Sequence, residues 1–442
     1  MINLIFFFLI IAIGILIKTY IHPQFFDSAA TYALGIIMLS GFVAGNLVKK
    51  IKLPAVTGYI LVGFLVGPFG LHLITQTNVD DLQLLNGLAL SLIALTAGGE
   101  IKFSGLKNNL KTISSVLVFQ TFFIVPGIAG LILLLSLVTP FFANPAVFPD
   151  INYVIAAGLL LGIISTASSP STTLAVIVEC KKKNRITDLI LSIVMLKDIA
   201  ILFLFVVGLS VSRTLVGGAG FDPARVLSIL GEITGSLGVG IVIGIIIVLY
   251  LRFVKKNEIV FILALCFFTY EIFAALHLHP LLIMMVAGFV VENFSTEGGK
   301  LIDHLEAISP PVYIIFFTLS GAAVNISYLK SLWLVTLLIV VFRMLLKYIG
   351  TYVGGVAAKA DNKVKKGLWK AFISQAGLSL GMAKIIENSF IGFGGKISAV
   401  IISVIVINQV IGPLLLKVCL DKSDRPPRGA NPDWELKIKN EK

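Results

Sequence analysis

The chain has 442 residues, 57% of them hydrophobic and only 13% charged, with a mean hydropathy of +1.00. Soluble domains carry close to a quarter charged residues, so this composition excludes a soluble globular protein and points to a membrane protein. The net charge of +12 arises from short basic clusters between apolar runs, not from one basic face. That pattern excludes a nucleic-acid partner and assigns the clusters to the surface of the lipid bilayer.

The apolar runs are continuous and of helical length, which also excludes a β-barrel, whose strands alternate polarity over about ten residues. Cys180, Cys266 and Cys419 are widely spaced and odd in number, so neither a disulfide framework nor a zinc site is expected.

Reading apolar windows in chain order and breaking them at charges and Gly/Pro clusters gives about fourteen transmembrane helices. The first, 2–18, lacks a basic leader and a small-residue cleavage site and reads as a retained span. It is followed by 30–48, 55–75, 83–101, 112–138, 152–178 and 187–211. The remaining spans are 225–251, 258–276, 280–294, 309–325, 331–356, 367–387 and 396–417. After residue 420 the segment 421–442 is charged and proline-containing and reads as a flexible tail.

Lys and Arg concentrate in alternate loops. One set holds Lys49, Lys50, Lys52, Lys102, Lys107, Lys111, Lys181, Lys182, Lys183, Arg185, Arg252, Lys255, Lys256, Lys300 and the lysines of 359–366. The other set has only Lys18, Arg213, Arg225, Lys330 and Lys396. The asymmetry places both termini in the cytoplasm and requires an even number of spans.

Function is expected at mid-membrane charges. Lys197 and Asp198 lie far from either end of the apolar run 186–211, where ionisable groups are retained chiefly because they line a path. Two spans interrupt themselves halfway. Ser165 to Thr173 sets Pro170 among Ser165, Thr166, Ser168, Ser169, Ser171, Thr172 and Thr173, and Ser374 to Gly381 sets Gly377 and Gly381 among Ser374, Gln375 and Ser379.

Proline removes a backbone donor and hydroxyls compete for backbone groups, so both helices are expected to unwind there. Unwinding in a bilayer is tolerated only against protein or a watery cavity, and broken helices in corresponding halves are the sequence mark of a transporter's midplane site. Each interrupted span sits between two long ones, which suggests two three-helix units of opposite orientation. Arg343 and Lys347 stand one turn apart in span 331–356, on one face. Glu100, Glu179, Glu271 and Glu292 lie near span ends and read as interfacial, with a proton-relay role left open for Glu271 and Glu292.

With these motifs in place, the chain resembles the monovalent cation:proton antiporters, in particular their Kef-like and Nap-like branch. The resemblance is carried by 53–70, reading LPAVTGYILVGFLVGPFG, by Ala97 to Glu100, Gly162 to Pro170, Pro280 to Gly288 and Ile314 to Ala322, and it covers about 30–417. It implies an all-α polytopic fold built from inverted repeats, with two broken helices crossing beside the ion site. It also implies a homodimer in which each core domain moves as an elevator against a scaffold.

On that pattern residues 1–420 form the transmembrane domain. An extra helix occupies 1–28, scaffold-side helices 30–101 and 225–294, and core-side helices 112–211 and 309–417. Asp198 matches the family's cation- and proton-binding aspartate, and Lys347 a lysine that pairs, in electrogenic members, with an acid preceding that aspartate. Here the preceding residue is Lys197, where relatives have Asp, Asn or Gln. The candidate ion- and proton-binding residues are therefore Asp198, Lys197, Lys347, Ser168, Ser169 and Thr172. Asp198 is the ligand for a monovalent cation, and Arg343, Gln375 and Ser374 tune the site.

No cofactor and no enzymatic activity are expected, and the tail lacks the glycine-rich fingerprint that Kef-type nucleotide gating needs. The partners implied are the cation, the proton, the bilayer and a second copy of the chain, in a bacterial inner membrane.

Lys197 complicates this reading. Adjacent helical residues point about 100° apart, so Lys197 is poorly placed to neutralise Asp198, and family geometry puts it beside Lys347. Two ammonium groups there are not expected to stay charged together, and one is expected to share proton duty with Asp198. If all four groups keep their charge, the cavity repels sodium or potassium. The residues therefore leave open a proton-coupled carrier of small anions or carboxylates, held by Lys197 and Arg343, and a non-transporting sensor or scaffold.

Overall fold

The computed structural model describes residues 29–423 except 140, 143, 183, 218–222, 277, 325, 376 and 391, together with residues 11 and 12. Apart from residues 11 and 12, the expected span 2–18 lies outside the described residues, as does nearly all of the tail 421–442. Among the described residues the regular structure is all helical, with no β-strand.

The helices run α1 (Ala29–Lys50), α2 (Ala55–Val66), the short α3 (Gln76–Asp81), α4 (Gln83–Gly99) and α5 (Phe103–Val138). Next come α6 (Ile151–Thr166), α7 (Pro170–Cys180), α8 (Arg185–Leu215), α9 (Pro223–Leu249) and α10 (Glu258–Ala275). The last are α11 (Pro280–Phe294), α12 (Gly298–Ala322), α13 (Ile326–Ala357), α14 (Asn362–Gly367), α15 (Gly377–Ser389) and α16 (Gly394–Ser423). A 3-10 turn, Leu368–Phe372, extends α14 inward.

Every expected span from 30–48 onward meets a helix or an interrupted helix pair. Nine of these stretches, among the described residues, are long and apolar enough to cross a membrane, and α2, α4 and α11 are shorter apolar helices. Two boundaries differ from expectation. The span 55–75 stops as a helix at Val66, because Gly67 and Pro68 turn the chain and Leu71 folds back to donate to the Leu65 carbonyl. The span 309–325 begins earlier, at Gly298, and passes through Pro310 and Pro311 without stopping.

Packing sorts the helices into groups. One cluster of buried side chains, including Ile124, Leu160, Phe205, Ile339, Ile386 and Val400, joins α5, α6, α8, α13, α15 and α16. A second, with Leu95, Ile247, Cys266, Met284 and Leu305, joins α4, α9, α10, α11 and α12. A third ties α12 to α1 and α2 through Ile37, Val62, Val66 and Leu319.

Lipid tails are as apolar as leucine, so helices in a bilayer associate by close packing, which small residues permit. A Cβ built on Gly63 of α2 would lie 1.9 Å from the Thr318 carbonyl oxygen of α12. One on Gly350 of α13 would lie 2.6 Å from Cα of Gln120 in α5, so glycine alone allows these contacts.

The alternating helices place the Lys-rich loops at one end of the bundle. There Asn293 of α11 donates to the Ile101 carbonyl, and Lys182 reaches the Leu420 carbonyl and Asp421. Arg213 and Ser389 meet at the opposite end. Between α2, α4, α12 and the helices α7, α8 and α16, a cluster that includes Val56, Ile60, Ala97, Phe317, Ile177 and Leu416 packs the lysine-rich end shut.

Candidate functional site: two broken helices and a buried charge cluster

The first interruption follows from its residues. Ser169 takes an extended conformation and its hydroxyl accepts from the Thr172 amide at 3.2 Å, a helix N-cap, while Pro170 opens α7 where its missing N–H costs nothing. Residues 167–169 thus leave α6 and α7 pointing at each other from opposite ends. The second interruption repeats this between the 3-10 turn and α15, with 373–375 outside either helix.

The extended strips lie against each other. The Ser169 amide donates to the Ser374 carbonyl at 2.9 Å, the Ser168 hydroxyl to the Phe372 carbonyl at 3.0 Å, and the Gln375 carboxamide to the Ile164 carbonyl at 2.9 Å. Asn408 of α16 donates to Gln375 Oε1 at 2.8 Å. Backbone groups that neither helix satisfies find partners across the crossing, as a dry bilayer requires.

Two helix C-termini meet at this point, and each leaves carbonyls unpaired and partial negative charge. Arg343 and Lys347, both fully buried, neutralise them. The Arg343 guanidinium donates from Nε to the Ser165 carbonyl at 2.7 Å, from Nη1 to Ile373 at 2.9 Å and from Nη2 to Ala167 at 2.7 Å. The Lys347 ammonium donates to the Ala167 carbonyl at 2.8 Å, to the Ser168 hydroxyl at 3.2 Å, to the Thr166 carbonyl at 3.4 Å and to the Phe372 carbonyl.

Lys197 and Asp198 leave α8 in different directions. The Lys197 side chain is 1% exposed and turns into the group formed by α5, α13 and the 3-10 turn. Its nearest partner is Gln120, not Lys347: Nζ donates to Gln120 Oε1 at 2.5 Å, lies 3.4 Å from the Ser168 hydroxyl, and stands 4.3 Å from the centre of the Phe372 ring. The two lysines meet through Ser168, which both ammonium groups approach. Asp198 faces the other way, into a cavity of about 260 Å³. Its Oδ1 is buried and has no hydrogen-bond partner.

Ser168, Ser169, Ser171, Leu378 and Ser379 line one wall of that cavity, and Leu90, Ile93, Ala97, Tyr270, Leu282 and Met285 the other. It reaches from the crossing toward the loop between α10 and α11, away from the lysine-rich end, where His279 forms part of its lining. Burial holds the His279 imidazole below its ordinary range, against the opposing pull of Glu232 at 3.9 Å.

Most of the expected residues come together here. Asp198, Ser168 and Ser169 line the cavity, while Lys197, Lys347 and Arg343 lie behind it within the crossing. Thr172 sits one turn inside α7, in contact with Ser169 Oγ at 3.0 Å, and is not on the cavity wall. Ser374 offers its carbonyl to Ser169 and keeps a buried, unpartnered hydroxyl. Gln375 is held between Ile164 and Asn408.

Sequence reading missed Gln120, Thr351, Phe372 and Asn408. Gln120 and Asn408 had a usable signal, since each is a carboxamide inside an apolar span, whereas nothing distinguishes Phe372 from other aromatic residues.

Two solved structures share this fold. The chain aligns with the sodium proton antiporter MjNhaP1 of Methanocaldococcus jannaschii at pH 8 with a TM-score of 0.63 and 16% identity, covering 89% of this chain and 98% of that one. A second structure of MjNhaP1, from electron microscopy, gives a TM-score of 0.66 and 18% identity over 90% and 99% of the two chains. By sequence the chain is 24% identical over 397 residues to the "Probable Na(+)/H(+) antiporter 3" of Methanocaldococcus jannaschii, a match spanning 87% of this chain and 95% of the relative. Residues 34–422 match the family model for the transmembrane region of sodium/hydrogen exchangers, and the chain therefore belongs to the sodium/hydrogen exchanger family.

Proposed function

We propose that this protein is a secondary active transporter that exchanges a monovalent cation, sodium or potassium, for protons. The observation that carries the proposal is Asp198: a lone carboxylate with a buried, unpartnered oxygen, opening onto a cavity that leads to one end of the bundle. Such an oxygen is costly unless a ligand satisfies it for part of the cycle, and a cation or a proton does so in turn.

Ser168, Ser169 and Asp198 bind the ion. Lys347 and Arg343 hold the crossing together, with Gln375 and Ser374 supporting it. Alternating access comes from an elevator movement of α5–α8 and α13–α16 against α1, α2, α4 and α9–α12, in a homodimer. In this reading α12 goes with the scaffold, because its apolar face is shared with α1 and α2. The lysine-rich end faces the cytoplasm of a bacterial cell and carries both termini.

The anion carrier has less support, since Arg343, Lys347 and Lys197 spend their donors on carbonyls, Ser168 and Gln120 behind the crossing, and the cavity is left with the carboxylate. A flux-free sensor would not need a cavity reaching a buried acid.

Purified protein in liposomes with an imposed pH gradient tests the proposal. Added sodium, lithium, potassium or rubidium salts are expected to release lumenal protons with the wild type and not with Asp198→Asn. Normal exchange in that variant, or silence of the folded wild type with every cation, sinks it.

A further inference from the structure

An ammonium buried in a bilayer protein is stabilised best by a carboxylate, and the residue next to Lys197 is one. Yet the Lys197 ammonium goes to a neutral carboxamide, and Asp198 Oδ1 is left without any partner. The helix splays the two side chains about 100° apart, and what fixes the ammonium on its own side is on α5 and α13. Gln120 is fully buried, its Oε1 takes the ammonium at 2.5 Å, and its Nε2 donates to the Thr351 hydroxyl at 2.6 Å. That hydroxyl donates in turn to the Lys347 carbonyl at 2.7 Å, so the carboxamide cannot flip without breaking a hydrogen bond on each side. Gly350 lets α13 come close enough for this, lying against the backbone of Gln120 itself.

We propose that Gln120 is a positioning residue that holds the Lys197 ammonium on the far side of α8 and so keeps Asp198 free for the transported ion. Without that acceptor, Lys197 keeps only the Ser168 hydroxyl at 3.4 Å and the Phe372 ring face, and although the two side chains leave α8 about 100° apart, its flexible four-carbon stem is long enough to swing the ammonium round the helix to the unpartnered carboxylate. The resulting ion pair competes directly with sodium. Gln120 therefore governs cation affinity from a position that touches neither the cavity nor the ion. The inference rests on the antiport reading given above.

The test is a double-mutant cycle on reconstituted protein, following sodium-dependent proton release against sodium concentration. Gln120→Leu, which keeps the volume and removes the acceptor, is expected to raise KM for sodium about tenfold while the rate at saturating sodium is retained, a tenfold step being the scale of one charge-assisted hydrogen bond. Gln120→Glu keeps an oxygen in place and is expected to restore the wild-type KM. In a Lys197→Met background, Gln120→Leu is expected to add nothing further, because both partners are then apolar.

An unchanged KM in Gln120→Leu overturns the proposal. So does an equal rise with and without Lys197, which makes Gln120 a packing residue only. Thermal unfolding in detergent checks each variant, and Gln120→Met carries the same test if the leucine variant does not fold. Wild-type protein that exchanges no cation defeats the antiport reading itself, whereas wild-type exchange with an insensitive Gln120→Leu defeats this inference alone.

Discussion

Arg343 shows how a charged side chain serves structure at the centre of a transporter. Its planar fork reaches three carbonyls on two different broken helices, a geometry that an ammonium does not reproduce. Removing the fork strands those carbonyls in a dry interior at about 1–3 kcal/mol each. Arg343→Met is therefore expected to lower Tm in detergent by many degrees and to abolish exchange. Arg343→Lys is expected to fall between the two, and a methionine variant with wild-type Tm would refute this role.

The residue scale is also where sequence reading succeeded unevenly. A charge in an apolar run announces itself, so Lys197, Asp198, Arg343 and Lys347 were legible. Which way each points was not, because direction depends on neighbours distant in sequence. Lys197 is expected beside Lys347 and does meet it at the Ser168 hydroxyl, but its short hydrogen bond goes to Gln120, 77 positions away. The ring of Phe372, neutral and common in type, carried no signal at all.

At the scale of elements, the two interruptions were legible because proline, hydroxyls and glycines weaken a helix wherever they fall. The start of α12 was not: Ser309, Pro310 and Pro311 read as a helix entry, yet the amphipathic segment before them, with Lys300, Asp303 and Glu306, is helical already. Also hidden was how α2 is capped. Its N-cap residue is Pro54, whose side chain accepts nothing, and the cap comes from another helix: both oxygens of Glu179, at the end of α7, lie 2.8 and 3.0 Å from the Ala55 amide. Lys49 stands 3.9 Å from the same carboxylate.

This contact ties a broken helix to α2 at the closed, lysine-rich end, so its loss is expected to favour opening there. A helix cap is worth about 1 kcal/mol, and that shifts an open–closed equilibrium about fivefold. The buried Ile177, replaced by cysteine, reports the change. Labelling of Ile177→Cys by a membrane-impermeant maleimide is expected to speed up about fivefold in Glu179→Ala and less in Glu179→Gln. Equal rates in all three backgrounds would show that the carboxylate caps α2 without holding the end shut.

For the whole molecule, the decisive feature is asymmetry of access. Asp198 communicates with the end that carries the α10–α11 loop, through the cavity beside Leu282 and Leu378, while Val56, Ile60, Phe317 and Leu416 close the other end around Ile177. The proposed exchange requires Asp198 to be presented to both sides in turn, which makes this arrangement one of two. Cysteines at 378 and 177 are expected to respond in opposite senses.

In a Cys180→Ser background, where the remaining Cys266 and Cys419 are buried, Leu378→Cys should label from the side of the α10–α11 loop and Ile177→Cys from the lysine-rich side. Each should be protected when the other reacts fast, and a reversed sodium or proton gradient should exchange their rates. Vesicles of both orientations distinguish the sides. If both positions label from one side at constant rates whatever the gradient, the bundle has a single open face, and Asp198 cannot be carrying ions from one side of the membrane to the other.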